Sequence, residues 1–158
     1  MTTHVCRQCS AEVQETRLGR VEGEDSGIRV TIEGLPTVVC GNGHKRFPTP
    51  DFPLQFIQRI LASDDLVRVK PATEKGFLRK HLHCPDCGET LPGDSHGTSS
   101  GRAELELPDG APATVELAIP THRCPKCSKE ATLAEATVAK AVMQACANAF
   151  RSADIPPG

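Results

Sequence analysis

Extended segments with alternating hydrophobic and polar residues occupy much of the first 40 positions. Residues 12–18 and 28–33 alternate, and the glycine-containing stretch 23–27 between them predicts the tip of a β-hairpin. Gly-Leu-Pro at 34–36 then leads into a third extended segment at 37–40. The first half of the chain is therefore expected to begin with a small antiparallel sheet.

The same pattern returns in the second half of the chain. Residues 103–107 and 113–119 alternate on either side of Pro108, Asp109 and Gly110, which form a strong turn sequence. Residues 93–101 are rich in Gly and Ser and predict a loop. A second antiparallel unit is expected here.

A short helix is predicted after the first unit. Asp51 and Pro53 are typical of a helix start, and Ser63 with the two aspartates that follow it ends the segment. Hydrophobic residues recur between them with helical spacing. The predicted apolar face consists of Leu54, Ile57 and Leu61, with Phe56 and Ile60 beside it.

A longer helix is predicted over residues 132–151. Thr132 and Glu135 have the spacing of a capping box at its start. The apolar stripe that follows consists of Ala136, Ala139, Val142, Met143, Cys146 and Phe150. Because several of these side chains are small, the helix can lie close to a sheet, to the other helix or to a second copy of the chain.

Two ribbon-plus-helix units in tandem are the simplest architecture for this pattern. The first unit spans residues 1–65 and the second residues 77–158, and an extended Leu-Val-Arg-Val-Lys segment with a polar linker joins them. The predicted fold class is small α+β, with tandem antiparallel zinc ribbons that are each followed by an α-helix. Packing of the two units as one body is compatible with this pattern.

Seven of the eight cysteines fall into groups typical of metal sites. Three pairs have two residues between the thiols, and these are Cys6 with Cys9, Cys84 with Cys87, and Cys124 with Cys127. Such a pair directs both sulfurs from one tight turn toward a tetrahedral ion. The eighth cysteine, Cys146, lies in the apolar stripe of the second helix and is expected to be a core residue.

The second and third pairs predict a zinc site with four thiolate ligands, Cys84, Cys87, Cys124 and Cys127. Two disulfides are the alternative, but they require an oxidising compartment, which nothing in the sequence indicates. A redox pair of thioredoxin type needs a βαβ setting, whereas strand and turn residues follow each pair here. His81 and His83 alternate before Cys84 and are expected to be solvated or hydrogen-bonded.

The first pair is expected to share a second zinc ion with Cys40 and a histidine. His44 follows Cys40 in the sequence Cys-Gly-Asn-Gly-His, whose glycines allow a tight turn. His4 is the alternative fourth ligand, and a third possibility leaves His44 as an exposed loop residue. We favour the ligand set Cys6, Cys9, Cys40 and His44.

The composition explains why metal ions would be needed. The chain has 158 residues but no Trp or Tyr and only five Phe, so its two small units have few large side chains for their cores. Two Zn²⁺ ions would stabilise such units, because ligand binding and folding become one equilibrium.

The charge argues against a dedicated nucleic-acid-binding protein. The chain has 18 basic and 20 acidic residues, neither half has a basic excess, and aromatic residues for base stacking are nearly absent. Seven ionised thiols would add seven negative charges and two Zn²⁺ would add four positive ones, which takes the net charge from -2 to -5. We therefore expect a protein partner rather than free nucleic acid.

Export and membrane insertion are not indicated by the sequence. No stretch of about 18 apolar residues is present, and the first residues lack the apolar run of a secretory signal. We expect a cytoplasmic protein with no membrane partner, in which thiols stay reduced or bind metal.

The first unit resembles the YgiT-type zinc-finger family, the zinc domain at the front of MqsA-type antitoxins. The resemblance covers about the first 45 residues and depends on Cys-x2-Cys, the spacer before Cys40, and the segment VTIEGLPTVVCGNGH at 30–44. It implies that Cys6, Cys9 and Cys40 bind a structural zinc ion and that the domain contacts a protein. The sequence departs from the family at His44, where a cysteine usually follows after two residues.

These features together favour a non-enzymatic protein with two structural zinc sites that acts as a protein-interaction or regulatory module. A zinc ion with four protein ligands has no open position for water or substrate. One alternative is a transcription- or ribosome-associated zinc-ribbon factor. Glu24 and Asp25 at the predicted hairpin tip are similar to the acidic pair with which transcript-cleavage ribbons hold magnesium. Another is an antitoxin-like protein without a helix-turn-helix, because residues 77–158 contain no segment for one.

Three further hypotheses stay open at this point. An enzyme would need an open zinc position in the first site or a group such as His96, for which the sequence provides no orienting acid. A redox sensor would release zinc when its thiolates are oxidised. Homo-oligomers would form through the helix at 132–151.

Overall fold

The computed structural model describes residues 5–6, 8–76, 78–95, 97–107 and 111–155. In chain order the elements are β1 (Val13–Asp25), β2 (Ile28–Cys40), β3 (Lys45–Arg46), α1 (Phe52–Leu61), β4 (Pro71–Lys75), β5 (His81–His83), β6 (Gly97–Leu105), β7 (Ala113–Arg123), β8 (Glu130–Ala134) and α2 (Glu135–Ser152). The predicted small α+β class is confirmed.

One mostly antiparallel sheet joins the strands of both halves of the chain. Its order is β1-β2-β7-β8-β4-β5, with β3 paired to β2 and β6 paired to β7. Strands β2 and β7 are antiparallel, from Arg29 opposite Ala118 to Glu33 opposite Thr114. The two segments that the sequence pattern separates therefore share a sheet.

The first hairpin is longer and more regular than the alternation predicts. Its turn consists of Ser26 and Gly27, which have φ angles of 52° and 80°, as a two-residue turn of this type requires. The separation of residues 28–33 and 37–40 into two extended segments is wrong, because β2 continues from Ile28 to Cys40. Gly34 accommodates the local distortion with φ 82°, and its carbonyl accepts a hydrogen bond from Arg17 Nη1 at 2.9 Å.

Strand β6 overturns the loop predicted at 93–101, because its first residues are 97–101. Here the glycine reflects close packing: a Cβ on Gly101 would overlap the carbonyl oxygen of Asp65 and approach Leu66. The chain after α1 therefore crosses β6 at Gly101. The turn expected at Pro108, Asp109 and Gly110 lies outside the described residues.

Helix α1 occupies the predicted segment but buries a different face. Its buried residues are Phe52, Phe56, Ile57 and Ile60, whereas Leu54 is 52% exposed. The aromatic residues decide the orientation, since the Phe52 ring stacks on both Phe47 and Phe56 at 5.7 and 5.6 Å between centroids.

Helix α2 begins three residues later than predicted, at Glu135. Thr132 belongs to β8 and its hydroxyl donates to the carbonyl of Leu133, so the expected capping box is not formed. The buried stripe consists of Val138, Ala141, Val142, Ala145, Cys146, Ala149 and Phe150, while Ala136 and Met143 are exposed. The stripe is turned relative to the prediction because alanines occupy the positions where the helix lies closest to β1.

The main hydrophobic core combines residues from β1, β2, α1, β7 and α2. A smaller cluster consists of Ala72, Cys84, Leu91, Cys124 and Ala131. Within the ranges that the structure describes, neither helix is long and apolar enough to cross a membrane.

Candidate metal centres

The three Cys-x2-Cys pairs adopt the same backbone turn. The amide of the first cysteine donates to the carbonyl five residues later, and the amide four residues later donates back to the cysteine carbonyl. The pairs are Cys6 with Ala11 and Ser10, Cys84 with Glu89 and Gly88, and Cys124 with Lys129 and Ser128, at 2.8–3.0 Å. The residue four positions after the first cysteine has a left-handed backbone each time, with φ 58° at Ser10, 80° at Gly88 and 64° at Ser128.

Cys40 and His44, the other two ligands of the first group, are held by a different turn, which explains the wider spacing between them. Residues 41–43 form a three-residue hairpin loop between β2 and β3, with Gly43 left-handed at φ 85°. The Gly43 amide donates to the Cys40 carbonyl and the Cys40 amide to the His44 carbonyl, both at 3.0 Å. The second ligand of this loop, His44, is therefore the residue directly before β3.

The structure brings His44 together with the three cysteines of the first group. His44 Nδ1 lies 3.5 Å from Cys6 Sγ and 3.4 Å from Cys40 Sγ, and the sulfurs of Cys9 and Cys40 are 3.7 Å apart. Tetrahedral zinc with a Zn–S distance of about 2.3 Å places its ligand atoms about 3.5–3.8 Å from one another. This group is therefore suited to hold a metal ion. His4 lies outside the described residues.

The second group consists of four sulfurs with similar spacing. Cys84 Sγ is 3.6 Å from Cys127 Sγ, and Cys87 Sγ is 3.4 Å from Cys124 Sγ. All four ligand atoms lie within 4.8 Å of one another, as they do in the first group. None of the eight cysteines forms a disulfide. This group, too, can hold a metal ion.

Histidines near the second group are engaged elsewhere. His83 Nδ1 is 3.1 Å from the Gly88 carbonyl, and His81 is exposed. His122 is buried with Nδ1 2.9 Å from the Pro92 carbonyl, a structural role that the sequence pattern does not signal. His96 lies outside the described residues.

Backbone amides favour the thiolate form of the first cysteine in each pair. The pKa of Cys6 is lowered, chiefly by the Gln8 amide, and that of Cys84 by the Cys87 amide. The Cys127 amide likewise lowers the pKa of Cys124 to about 7. Such donors prepare the sulfurs to bind a cation.

Asn42 adds a side-chain donor to the first group. Its Nδ2 donates to Cys9 Sγ at 3.2 Å, and this hydrogen bond is the main reason that the pKa of Cys9 falls to about 6. Asn42 lies in the loop between Cys40 and His44, so it connects the two half-sites. The sequence pattern assigns this residue only a turn role, and its contact with Cys9 was missed.

The burial of the ligands follows the same plan in both groups. The first cysteine of each ligand pair is buried, namely Cys6, Cys40, Cys84 and Cys124, whereas Cys9, His44 and Cys127 are partly exposed and Cys87 is exposed.

Cys40 ends β2 and Cys124 follows β7. Because these strands are antiparallel, the two groups lie at opposite ends of the β2–β7 pair.

Glu24 and Asp25, the acidic pair at the hairpin tip, and Cys146, the expected core residue, all have contacts within the chain. Glu24 forms an ion pair with Arg29 at 3.3 Å, its carbonyl accepts a hydrogen bond from Asn148 of α2, and Asp25 accepts one from Ser26. The hairpin tip thus lies against α2. Cys146 is fully buried in the main core, as predicted, and burial raises its pKa to about 12.

Comparison of the chain with protein families, characterised proteins and solved structures gave no significant match.

Proposed function

We propose that the chain binds two structural zinc ions and acts through contacts with a partner protein. The observation that carries the zinc assignment is the pair of four-ligand groups, whose ligand atoms have the separations of tetrahedral coordination. Ligand sets of Cys₃His and Cys₄ in this geometry favour Zn²⁺ over hard cations such as Mg²⁺.

A structural role for the metal follows from the number of ligands. Each group offers four protein ligands, which would leave no coordination position for substrate. The second group also lies within the small core cluster, where Cys84 and Cys124 are two of five buried residues. A zinc ion there would stabilise packing that few apolar side chains support.

Three ion pairs on the sheet support a protein partner over nucleic acid. On the strands of the sheet, Arg20 pairs with Glu22, Arg29 with Glu24 and Arg102 with Glu116. Cations that already have carboxylate partners contribute little to phosphate binding. The resemblance of residues 1–45 to the YgiT-type family also favours a protein partner, and we propose the same role for this chain.

Metal analysis tests the zinc assignment. Full-length protein purified without chelators is expected to contain two zinc ions per chain, and Cys40→Ser or Cys87→Ser should each remove one. Cobalt substitution should give the visible absorption of tetrahedral thiolate sites in both groups. Folded wild-type protein that lacks metal, or that contains iron instead, would refute the assignment.

Affinity purification from the source organism tests the partner. A stoichiometric protein retained by the zinc-loaded chain is expected, and its identity decides among a regulatory module, a transcription- or ribosome-associated factor and an antitoxin-like protein. Retention that disappears after nuclease treatment would argue for nucleic acid.

A further inference from the structure

The hairpin formed by β4 and β5 extends beyond the rest of the sheet. Thr73, Glu74 and Lys75 pair with His83, Leu82 and His81, whereas β4 pairs with β8 only at Pro71 and Ala72. Residues 73–76 and 78–81 are all exposed. We refer to these residues as the β4–β5 finger.

An apolar residue lies at the turn of the finger. Leu78 is 93% exposed, the largest value for a large hydrophobic residue in the described ranges. The turn is tight, because Gly76 has φ 133° and a Cβ there would overlap the carbonyl of Arg79. A single exposed leucine is common on protein surfaces, so the charges around it decide what it indicates.

The finger is positively charged in a chain whose formal net charge is -2. Lys75, Arg79 and Lys80 surround Leu78 in the sequence, and all three are exposed. Lys80 lies 3.5 Å from Glu74, the sole carboxylate on the finger, whereas Lys75 and Arg79 form no ion pair with any described residue. Two cations beside an apolar apex therefore lack a counter-charge within the described chain.

The base of the finger is fixed to the second ligand group. The Thr132 amide donates to the Lys70 carbonyl at 3.0 Å, and Lys70 Nζ forms an ion pair with Asp86 at 3.1 Å. Strand β5 leads directly into Cys84, and the Leu91 amide donates to the Leu82 carbonyl at 2.8 Å. A hairpin held in this way can dock with a small loss of conformational entropy.

We infer that the β4–β5 finger is the element that docks on the partner protein, and that the partner presents an apolar pocket for Leu78 with acidic residues around its rim. The inference rests on the proposed interaction function. An aliphatic side chain that fills a pocket can be the central anchor of an interface, and arginine is enriched among hot-spot residues. Rim charges select the partner.

Other classes of partner fit the finger less well. The finger has three cations, one of which is already paired with Glu74, and these make a small phosphate-binding patch. Recognition of anionic lipids by a basic segment takes a cluster of about four to eight cations, more than the three of the finger. An acidic protein pocket complements both the apex and its cations.

The test uses the zinc-loaded full chain as bait in extracts of the source organism. Finger variants Leu78→Asp and Arg79→Glu are compared with controls of the same chemistry elsewhere, Leu54→Asp on α1 and Lys140→Glu on α2. A photo-crosslinking residue at position 78 then identifies the contacted segment of the retained protein. Circular dichroism and zinc content confirm that every variant is folded.

The partner should be retained by the wild type and both controls, and reduced about tenfold or more by both finger variants, as for loss of a hot spot. The crosslinked segment should contain acidic residues, and reversing one of their charges should restore binding to Arg79→Glu. Three results would overturn this inference and leave the proposed interaction function intact. The finger variants could retain as much partner as the wild type, or the crosslinked segment could contain no acidic residues. The finger could also bind phosphatidylglycerol vesicles or RNA in place of a protein. A wild-type bait that retains no protein would overturn the proposed interaction function as well.

Discussion

Gly23 of β1 lies in direct backbone contact with Ala145 of α2, because a Cβ atom on Gly23 would overlap the Ala145 carbonyl oxygen and the Ala149 amide. Hydrogen bonds flank this contact, from Asn148 Nδ2 to the Glu24 carbonyl at 2.8 Å and from Ser152 Oγ to the Glu22 carbonyl at 3.3 Å. The last helix is therefore fixed to the first strand.

Gly23→Ala is expected to destabilise the fold by about 2 kcal/mol, because α2 must move away from β1 to accommodate one methyl group. Chemical denaturation measures this change. Gly19→Ala on the same strand is the control, since no atom lies within 4 Å of a Cβ there, and its effect should stay within about 0.5 kcal/mol. Equal effects of the two substitutions would contradict the close contact.

Asn42→Ala is expected to weaken zinc binding in the first site by about tenfold, the usual effect of removing a hydrogen bond to a ligand. Loss of the donor raises the pKa of Cys9, so protons compete better for its sulfur and metal release should begin at a higher pH. Competition with a coloured chelator measures both quantities. Asn148→Ala on α2 should leave the first site unchanged, and equal weakening of both sites would contradict a local role of Asn42.

Features that depend on local spacing were predictable from the sequence. The Cys-x2-Cys turns need only a few residues and one left-handed position, and the alternation within residues 113–119 follows the two faces of β7. The burial of Cys146 followed from helical periodicity over three turns.

Features that depend on distant contacts were not predictable. Residues 97–101 read as a loop because their glycines and serines have low strand propensity, yet pairing with β7 places them in a strand. Gly101 is required there by Asp65 and Leu66, which are far away in sequence. The predicted buried faces of both helices were also wrong. In α2 the close approach to β1 places alanines on the buried face, and in α1 the stacking of aromatic rings buries Phe52.

The left-handed residue of each Cys-x2-Cys turn leads to two predictions of opposite sign. Gly88→Ala should cost about 1–2 kcal/mol from backbone strain alone, because no atom lies within 4 Å of a Cβ at this position. Ser128→Gly, at φ 64° in the equivalent position, should be neutral or stabilising. Thermal unfolding of the zinc-loaded variants tests the pair, and a destabilising Ser128→Gly would contradict the strain argument.

Loss of metal is expected to unfold the two ends of the sheet and to leave its centre folded, in contrast to the expectation from the composition that each half folds only with its ion. The main core has 25 buried residues in the described ranges, whereas the cluster around the second site has five, of which two are ligands. Hydrogen exchange of Cys87→Ser should show lost protection near residues 82–91 and 124–131, and Cys9→Ser should show it near residues 6–11 and 40–44. Val30, Val115 and Val142 should stay protected in both variants. Simultaneous exchange of these core amides would mean that metal binding and global folding are one step.

Cys146 reports independently on whether the centre of the sheet survives metal loss. Its thiol is fully buried against the main core and its pKa is raised to about 12, so at neutral pH it is protonated and inaccessible to thiol reagents. After chelation, seven of the eight cysteines should react rapidly with a disulfide reagent, and Cys146 should react only when denaturant is added. Cys146→Ala is the control, since it should remove the slow phase and leave the rapid one unchanged. Eight rapidly reacting thiols after chelation would show that α2 leaves β1 when the metal is lost, and would place the metal sites in control of the whole fold.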